Sequence, residues 1–292
     1  MEEGRVFFHF GSYGTACLNS ENGKVVWSRR DLPCNHFRGP GSSPILYGNL
    51  LIMHFDGFDY QYVVALDKLT GETVWKVDRS NDYQTDDGDL KKAFSTPLVI
   101  DFDGKKQLIS PGSKALFSYD PMTGKENWQV NYKGFSGTAR PLFGHGLVFV
   151  STGFSKAEML AVRPVGTGNV TESNIAWRAS RAIPSKPSPI LVEDLIYMVD
   201  DQGVASCLEA VTGDRVWTKR LVGNFSASPV YAGGLIYFCS HEGETFVIKP
   251  SRVFTKVAVN LLEDGFMASP AVSDNALILR TRSCLYRIEQ SP

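Results

Sequence analysis

The chain has 292 residues, with 30 Lys and Arg against 31 Asp and Glu, for a net charge of −1. That length allows a large buried core, and the near-neutral balance argues against nucleic acid, whose phosphates call for a basic face. Twenty-seven glycines, fifteen prolines and eighteen phenylalanines favour many strands and many turns, and no apolar run approaches the roughly 18 residues of a membrane span.

The first residues carry no signal peptide and run directly into an apolar strand, Val6–Phe10. A strand that early leads us to expect a natural gene product that begins further upstream. A turn follows, with Cys17, Asn19, Asn22 and Gly23 leading to Trp27. The long connection 31–42 contains His36 and Arg38. It ends in Gly39-Pro40-Gly41-Ser42-Ser43, where a proline and the lack of a lysine make a poor phosphate cradle.

Ser43-Pro44 opens the next strand, since proline suits a strand's first residue. A Gly48-Asn49 turn, a long loop over 54–61, and the run Ala65-Leu66-Asp67-Lys68-Leu69-Thr70-Gly71-Glu72-Thr73-Val74-Trp75 complete the unit. The connection 78–95 is the most polar in the chain and includes Arg79, Asp82, Tyr83, Asp86, Asp87, Asp89 and Lys92. Thr96-Pro97, an Asp103-Gly104 hairpin and Ser118 to Trp128 form the third unit.

Arg140-Pro141 and His145-Gly146 begin the fourth, whose last turn carries about six extra residues over 164–174 before Trp177. Ser188-Pro189, Glu193-Asp194 and Cys207 to Trp217 make the fifth. Ser228-Pro229 with Gly233-Gly234 opens the sixth, and Ser269-Pro270 with Asp274-Asn275 the seventh.

The tryptophans Trp27, Trp75, Trp128, Trp177 and Trp217 recur at intervals of 48, 53, 49 and 40 residues, the scale of one propeller blade. Each motif position has a physical role. The Asp, Asn or Glu can bond the amides of the turn it opens. The glycine supplies φ > 0. The tryptophan lies on the outer strand, where a large ring can bury itself against the next blade. The small residue ten before it (Cys17, Ala65, Ser118 or Cys207) suits a close strand contact. This absorbs two of the five cysteines, and Cys34, Cys239 and Cys284 likewise read as small hydrophobes, since no metal or disulfide spacing is present.

We therefore expect an all-β fold, a single β-propeller domain over 1–292 of about seven four-stranded blades with tryptophan-docking repeats. The approximate blades are 4–30, 42–79, 95–131, 138–180, 187–220, 227–260 and 268–289. The first lacks its innermost strand and the last its outermost, so the terminal blades are incomplete. The alternative is an eight-bladed parent lacking one blade.

The pattern Ala-x-Asp-x-x-Thr-Gly-x-x-x-Trp, over nearly the whole chain, resembles the repeat of the PQQ-like (quinoprotein-type) propeller superfamily, which includes quinoprotein alcohol dehydrogenases and BamB. The stretches 62–75, 95–128, 134–153 and 224–250 are most similar to uncharacterised planctomycete-type PQQ-like repeat proteins. The resemblance implies eight blades and a periplasmic or extracytoplasmic location. It carries no function by itself. The dehydrogenases have a vicinal disulfide, and no Cys-Cys pair occurs here.

With no catalytic set in the sequence, the expectation is a non-catalytic binding or scaffold propeller, with no cofactor. The alternative is a PQQ- or metal-dependent, dehydrogenase-like enzyme, with PQQ or calcium as its cofactor. A protein partner or small ligand would meet the face formed by the B–C loops and D–A connections, because long loops on a rigid scaffold carry binding residues. The ligand-binding candidates there are His36, Arg38, Arg79, Asp82, Tyr83, Lys92 and Arg140, the arginines and Lys92 as a cationic funnel. Asp82, Asp86, Asp87 and Asp89 are the metal candidates, as calcium takes clustered oxygens, although their spacing is not that of an EF-hand. His145, Asp103 and Gly104 read as turn residues.

Overall fold

A computed structural model describes residues 1–289 and shows a seven-bladed β-propeller with almost no helix. Each blade is an antiparallel sheet whose strands we letter A to D from the inside. Blade 1 comprises B Arg5–His9, C Thr15–Asn19 and D Val25–Arg29. Blade 2 comprises Ile45–Tyr47, Leu50–Asp56, Gln61–Asp67 and Thr73–Asp78, and blade 3 Leu98–Phe102, Lys105–Pro111, Ala115–Tyr119 and Glu126–Asn131. Blade 4 comprises Leu142–Gly144, Leu147–Ser151, Met159–Val162 and Ile175–Ala179, and blade 5 Ile190–Val192, Leu195–Val199, Val204–Glu209 and Arg215–Arg220. Blade 6 comprises Val230–Ala232, Leu235–Cys239, Glu244–Lys249 and Thr255–Leu261, and blade 7 Ala271–Ser273, Ala276–Arg280 and Leu285–Glu289. Among the described residues, blades 1 and 7 have three strands, as the repeat count predicts.

The chain divides into two compact units. Blades 1 to 3, with the segment Val162–Ile175, form one; blades 4 to 7 form most of the other.

The local chemistry follows from the motif. Asp67 Oδ1 accepts the amides of Leu69 and Thr70, Asp120 Oδ1 those of Met122 and Thr123, and Asn19 Oδ1 those of Glu21 and Asn22. The threonine closes the second half of the turn, Thr70 Oγ1 accepting Glu72 N–H and Thr123 Oγ1 accepting Lys125 N–H. The small residue is the tryptophan's cross-strand partner: Cys17 faces Trp27, Ala65 faces Trp75, Ser118 faces Trp128 and Cys207 faces Trp217, each just before a β-bulge. All four are fully buried.

Four of the five tryptophans then reach the C–D turn of the following blade. Nε1–H of Trp27 donates to Lys68 O at 3.0 Å, Trp75 to Pro121 O at 3.2 Å, Trp177 to Ala210 O at 3.0 Å and Trp217 to Ser251 O at 3.0 Å. The motif glycine thus has a second role. Besides its positive φ, Gly71 lies under the Trp27 ring, Gly124 under Trp75 and Gly213 under Trp177, where a Cβ would approach ring carbons to 2.6–2.7 Å.

Trp128 departs from this scheme. The inserted segment leads a short strand, Gly168–Asn169, to pair in parallel with the Trp128 strand. Trp128 instead donates to Gln107 Oε1 of its own blade at 2.9 Å, and Gln107 Nε2 donates to Pro164 O at 2.8 Å.

The hydroxyl of the Ser-Pro or Thr-Pro pair is a link between blades. Ser43 N–H donates to Thr96 Oγ1, Ser188 N–H to Ser228 Oγ and Ser228 N–H to Ser269 Oγ, at 2.9–3.0 Å. Arg140 occupies this position in its unit and has no acceptor to offer. The tight A–B turns place Gly48, Asp103, His145, Glu193, Gly233 and Asp274 at φ between 50° and 57°, the backbone of a primed hairpin turn. Cys17, Cys34, Cys207 and Cys239 are buried, whereas Cys284 is exposed.

Candidate functional site

In the unit of blades 1 to 3, the two long D–A connections and the long B–C loop lie against one another. Phe58 N–H donates to Asn35 O at 2.7 Å, and Asp59 Oδ1 accepts Asn35 N–H at 2.7 Å and Tyr60 N–H at 2.8 Å. Ala93 N–H donates to Asp56 O at 3.2 Å, which ties the second connection to the same loop. Gly88 allows this approach, since a Cβ there would meet Phe58.

The surface so formed is aromatic. Phe37 lies at φ 61°, with Arg38 N–H donating to His36 O at 2.6 Å across it, a γ-turn of the strained hand. Strain of this kind costs about 1–3 kcal/mol and persists only where surrounding bonds impose it. Here Asn35 Oδ1, accepting Phe37 N–H at 3.0 Å, supplies one such bond. The result is a Phe37 side chain 60% exposed. Lys92 Nζ lies 4.5 Å and the Arg38 guanidinium 5.4 Å from its ring centroid, and the Phe58 ring lies at 6.1 Å. Tyr13, Phe58 and Tyr60 are exposed too. A cleft of about 370 Å³ opens beside them, lined by Ser12, Tyr13, Asn35, His36, Phe37 and Asp59.

Beneath this surface lies a closed polar node. Arg79 forms a two-pronged ion pair with Asp56, Nε to Oδ1 at 2.9 Å and Nη2 to Oδ2 at 2.7 Å, both side chains being fully buried. Its Nη1 donates to Ser110 Oγ at 2.6 Å, and its guanidinium stacks 4.9 Å from the Phe117 centroid. Ser110 Oγ is 2.8 Å from His54 Nε2, and His54 Nδ1 is 2.9 Å from Ser95 O. A carbonyl only accepts, so Nδ1 carries the proton and Ser110 donates to Nε2. Burial first, then the Arg79 charge, pulls the His54 pKa well down and keeps the ring neutral. Ser110 and His54 have the spacing of a nucleophile and base, but Ser110 is wholly buried and both its hydrogen-bond roles are taken. The node fastens the connection at Arg79 and Ser95 to strand B of blades 2 and 3.

Of the residues singled out in the sequence, His36, Arg38 and Lys92 meet at Phe37. His36 is buried rather than facing a funnel, its Nε2 accepting Ser12 N–H at 3.3 Å and its Nδ1 lying 3.7 Å from Cys34 Sγ. Burial lowers its pKa, with Asp56 and Asp59 opposing. Lys92 is 2% exposed and pairs with Asp89. Arg79 is a buried ion-pair partner instead of a free cation, and the Tyr83 hydroxyl is buried without a hydrogen-bond partner. Asp82 and Arg140 are exposed.

The acidic segment does not converge on a cation. Asp82 Oδ1 accepts Gln84 N–H, and Asp87 caps the short turn Gly88–Lys91 through Asp89 N–H. Among the described residues no three of His, Cys, Asp and Glu are grouped to hold a metal. The donor set of Asp82, Asp86, Asp87 and Asp89 therefore does not fit calcium.

Sequence reasoning missed Asp56, His54 and Ser110, and the exposed Phe37, Phe58 and Tyr60. One signal was present: strand Leu50–Asp56 is an apolar run that carries a histidine and an aspartate, and ionisable groups in a buried strand require partners.

Comparison with known proteins gives the same lineage as the repeat. Residues 59–289 match the family described as outer membrane protein assembly factor BamB. A protein of that name from Alkalilimnicola ehrlichii is 29% identical over 164 residues, 54% of this chain and 41% of that protein. The chain thus spans well under half of the curated relative it matches. The crystal structure of BamB from Moraxella catarrhalis has a TM-score of 0.70 at 14% identity, covering 96% of this chain and 80% of that one. A europium-containing methanol dehydrogenase (TM-score 0.68, 11% identity, 96% and 72% covered) and the quinohemoprotein alcohol dehydrogenase of Comamonas testosteroni (0.67, 12%, 96% and 61%) share the fold. Among the described residues no helix is long and apolar enough to cross a membrane. The match over most of its length places this chain in the BamB family of PQQ-like β-propellers.

Proposed function

We propose that this chain is a non-catalytic protein-binding scaffold, acting outside the cytoplasm, whose B–C/D–A loop face in blades 1 to 3 receives a partner. The observation that carries this reading is the held aromatic surface of Tyr13, Phe37, Phe58 and Tyr60 with Arg38 across Phe37. Exposed aromatic rings and arginines on a rigid base are the groups that dominate protein interfaces, and the turn at Phe37 holds its ring 60% exposed. Membership of a family named for outer membrane protein assembly supports a protein partner and an extracytoplasmic setting. The likeness to the dehydrogenases supports the fold alone.

A photo-crosslinking amino acid placed at Phe37 or Tyr60 in the natural host tests the reading. It should give a discrete protein adduct that the same group at Leu69, exposed in a C–D turn of the same unit, does not give. Equal adducts at Leu69, or none at Phe37 and Tyr60, would refute it.

A further inference from the structure

The tryptophan series has one empty slot. In blade 6 the position cross-strand from the small residue is occupied by Ala258, and the small residue itself is replaced by Val247. Three tryptophans also pair with an aromatic of their own strand B: Trp27 with Phe7 at 6.3 Å, Trp177 with Phe149 at 5.8 Å and Trp217 with Tyr197 at 6.0 Å. The register equivalent in blade 6 is Tyr237, which pairs Val247 across the sheet. Tyr237 has kept the place of an aromatic partner whose tryptophan is gone.

The facing blade repeats the correspondence. Trp27 packs in a cluster with Leu46, Leu51 and Leu66 of blade 2, three residues paired in sequence across that sheet. Their counterparts in blade 7 are Val272, Leu277 and Ile288. Leu51 and Leu66 are 1% and 0% exposed, whereas Val272 and Ile288 are 48% and 44% exposed. Tyr237, Val272, Leu277 and Ile288 together line an open cleft of about 870 Å³ between blades 6 and 7. Blades 5 and 6 show the filled version next door, where Trp217 packs with Ile236 and Ile248 at 0% exposure, so the cleft continues an interface built on one plan.

From this equivalence we infer that the cleft between blades 6 and 7 is a binding slot for the indole ring of a tryptophan carried on an extended segment of a partner protein. The ring packs at a tilt against Tyr237, as Trp27, Trp177 and Trp217 do against their own aromatic partners, and covers Val272, Leu277 and Ile288. The segment is extended because the tryptophans that fill the equivalent position elsewhere, Trp27, Trp177 and Trp217, are each carried on a strand, Val25–Arg29, Ile175–Ala179 and Arg215–Arg220. This site is separate from the loop-face reading and does not depend on it.

The test uses the whole chain and a peptide Thr-Val-Trp-Lys-Val, its own strand D sequence over Thr73–Val77, followed by NMR at Tyr237, Leu277 and Ile288. The peptide should give saturable shifts at all three, and its alanine counterpart none. Ala258→Trp, which refills the slot from within, and Ile288→Glu, at a position 44% exposed, should each weaken binding about tenfold or more, the loss of a well-packed anchor. Phe37→Ala should leave it unchanged, which keeps a failed loop face distinct from a failed slot. Absence of shifts, an equal response to the alanine peptide, full binding by Ile288→Glu, or free indole binding as tightly as the peptide would overturn the inference.

Discussion

The glycine of the repeat carries a quantitative prediction, because one copy lacks the tryptophan that the others shelter. Gly71 has φ 79° and lies under Trp27, so that an added Cβ would come within 2.7 Å of two ring carbons. Gly23, at the same point of blade 1, has φ 69° and nothing within 4 Å of that Cβ position. Gly23→Ala therefore isolates the backbone cost, about 1 kcal/mol for a left-handed alanine. Gly71→Ala adds an overpacked contact to a ring pinned by its bond to Lys68 O, for a total of about 2–4 kcal/mol. Trp27→Ala alone should cost about 3–5 kcal/mol. In the double variant the clash is relieved, so the loss should fall short of the sum by about 1–3 kcal/mol. Urea unfolding followed by far-ultraviolet circular dichroism measures all four proteins without relying on the deleted fluorophore. If Gly23→Ala costs as much as Gly71→Ala, or if Gly71→Ala and Trp27→Ala simply add, the ring is not what demands the glycine.

Three further outcomes follow from the buried polar groups. Arg79→Met strands the Asp56 carboxylate and should cost about 3–5 kcal/mol, while Asp56→Leu combined with Arg79→Met should cost clearly less; urea midpoints of the two that coincide would refute the pairing argument. His9 is pulled to a pKa of about 4, by burial first and then by His36. Above pH 6.5 it is neutral whether folded or not. Between 6.5 and about 4 the unfolded chain takes the proton first, so stability falls through that window, by at most about 3 kcal/mol from this residue. His54, shifted the same way, adds to the fall. His9→Gln should flatten the dependence of the urea midpoint on pH between 7.5 and 4.5, and an unchanged slope would exclude His9 as a source. Gln107→Leu strands Trp128 Nε1–H, the Ser118 hydroxyl and Pro164 O, and should cost about 2–3 kcal/mol with faster amide exchange at Val170, whose N–H bonds Gln129 O; wild-type exchange there would show that Gln107 does not hold the insertion.

The blades were legible because their information is local. An aspartate two and three residues before the amides it binds, and a glycine that closes a turn, leave the same spacing wherever the turn recurs. The pairing of small residue and tryptophan was legible for the same reason, since the bulge fixes their separation. Partners chosen in space left no such trace. Asp56 and Arg79 are 23 residues apart, one at the end of a strand and the other in the connection after Thr73–Asp78, and Arg79 in sequence is simply a cation at the head of an acidic loop. The acidic loop itself offered cation candidates because carboxylates were counted, whereas Asp82 and Asp87 each accept a nearby amide and Asp89 pairs with Lys92. Phe37 drew no notice, because a strained turn that exposes a phenylalanine depends on the loops around it and not on any residue pattern.

Blade 6 shows how far this locality reaches. Replacing a tryptophan by Ala258 would by itself leave a void against the sheet, and voids cost stability in proportion to their volume. The chain answers within the sheet, with Val247 where Cys17, Ala65 and Cys207 stand elsewhere, so the cross-strand contact is refilled from the partner's side. It does not answer between the blades, where Tyr237, Val272 and Ile288 remain uncovered. Had stability alone governed the substitution, one large side chain on strand D or smaller, polar residues on blade 7 would have closed the gap. Repair of the inner contact with retention of the outer apolar slot is what an occupant from outside the chain would require.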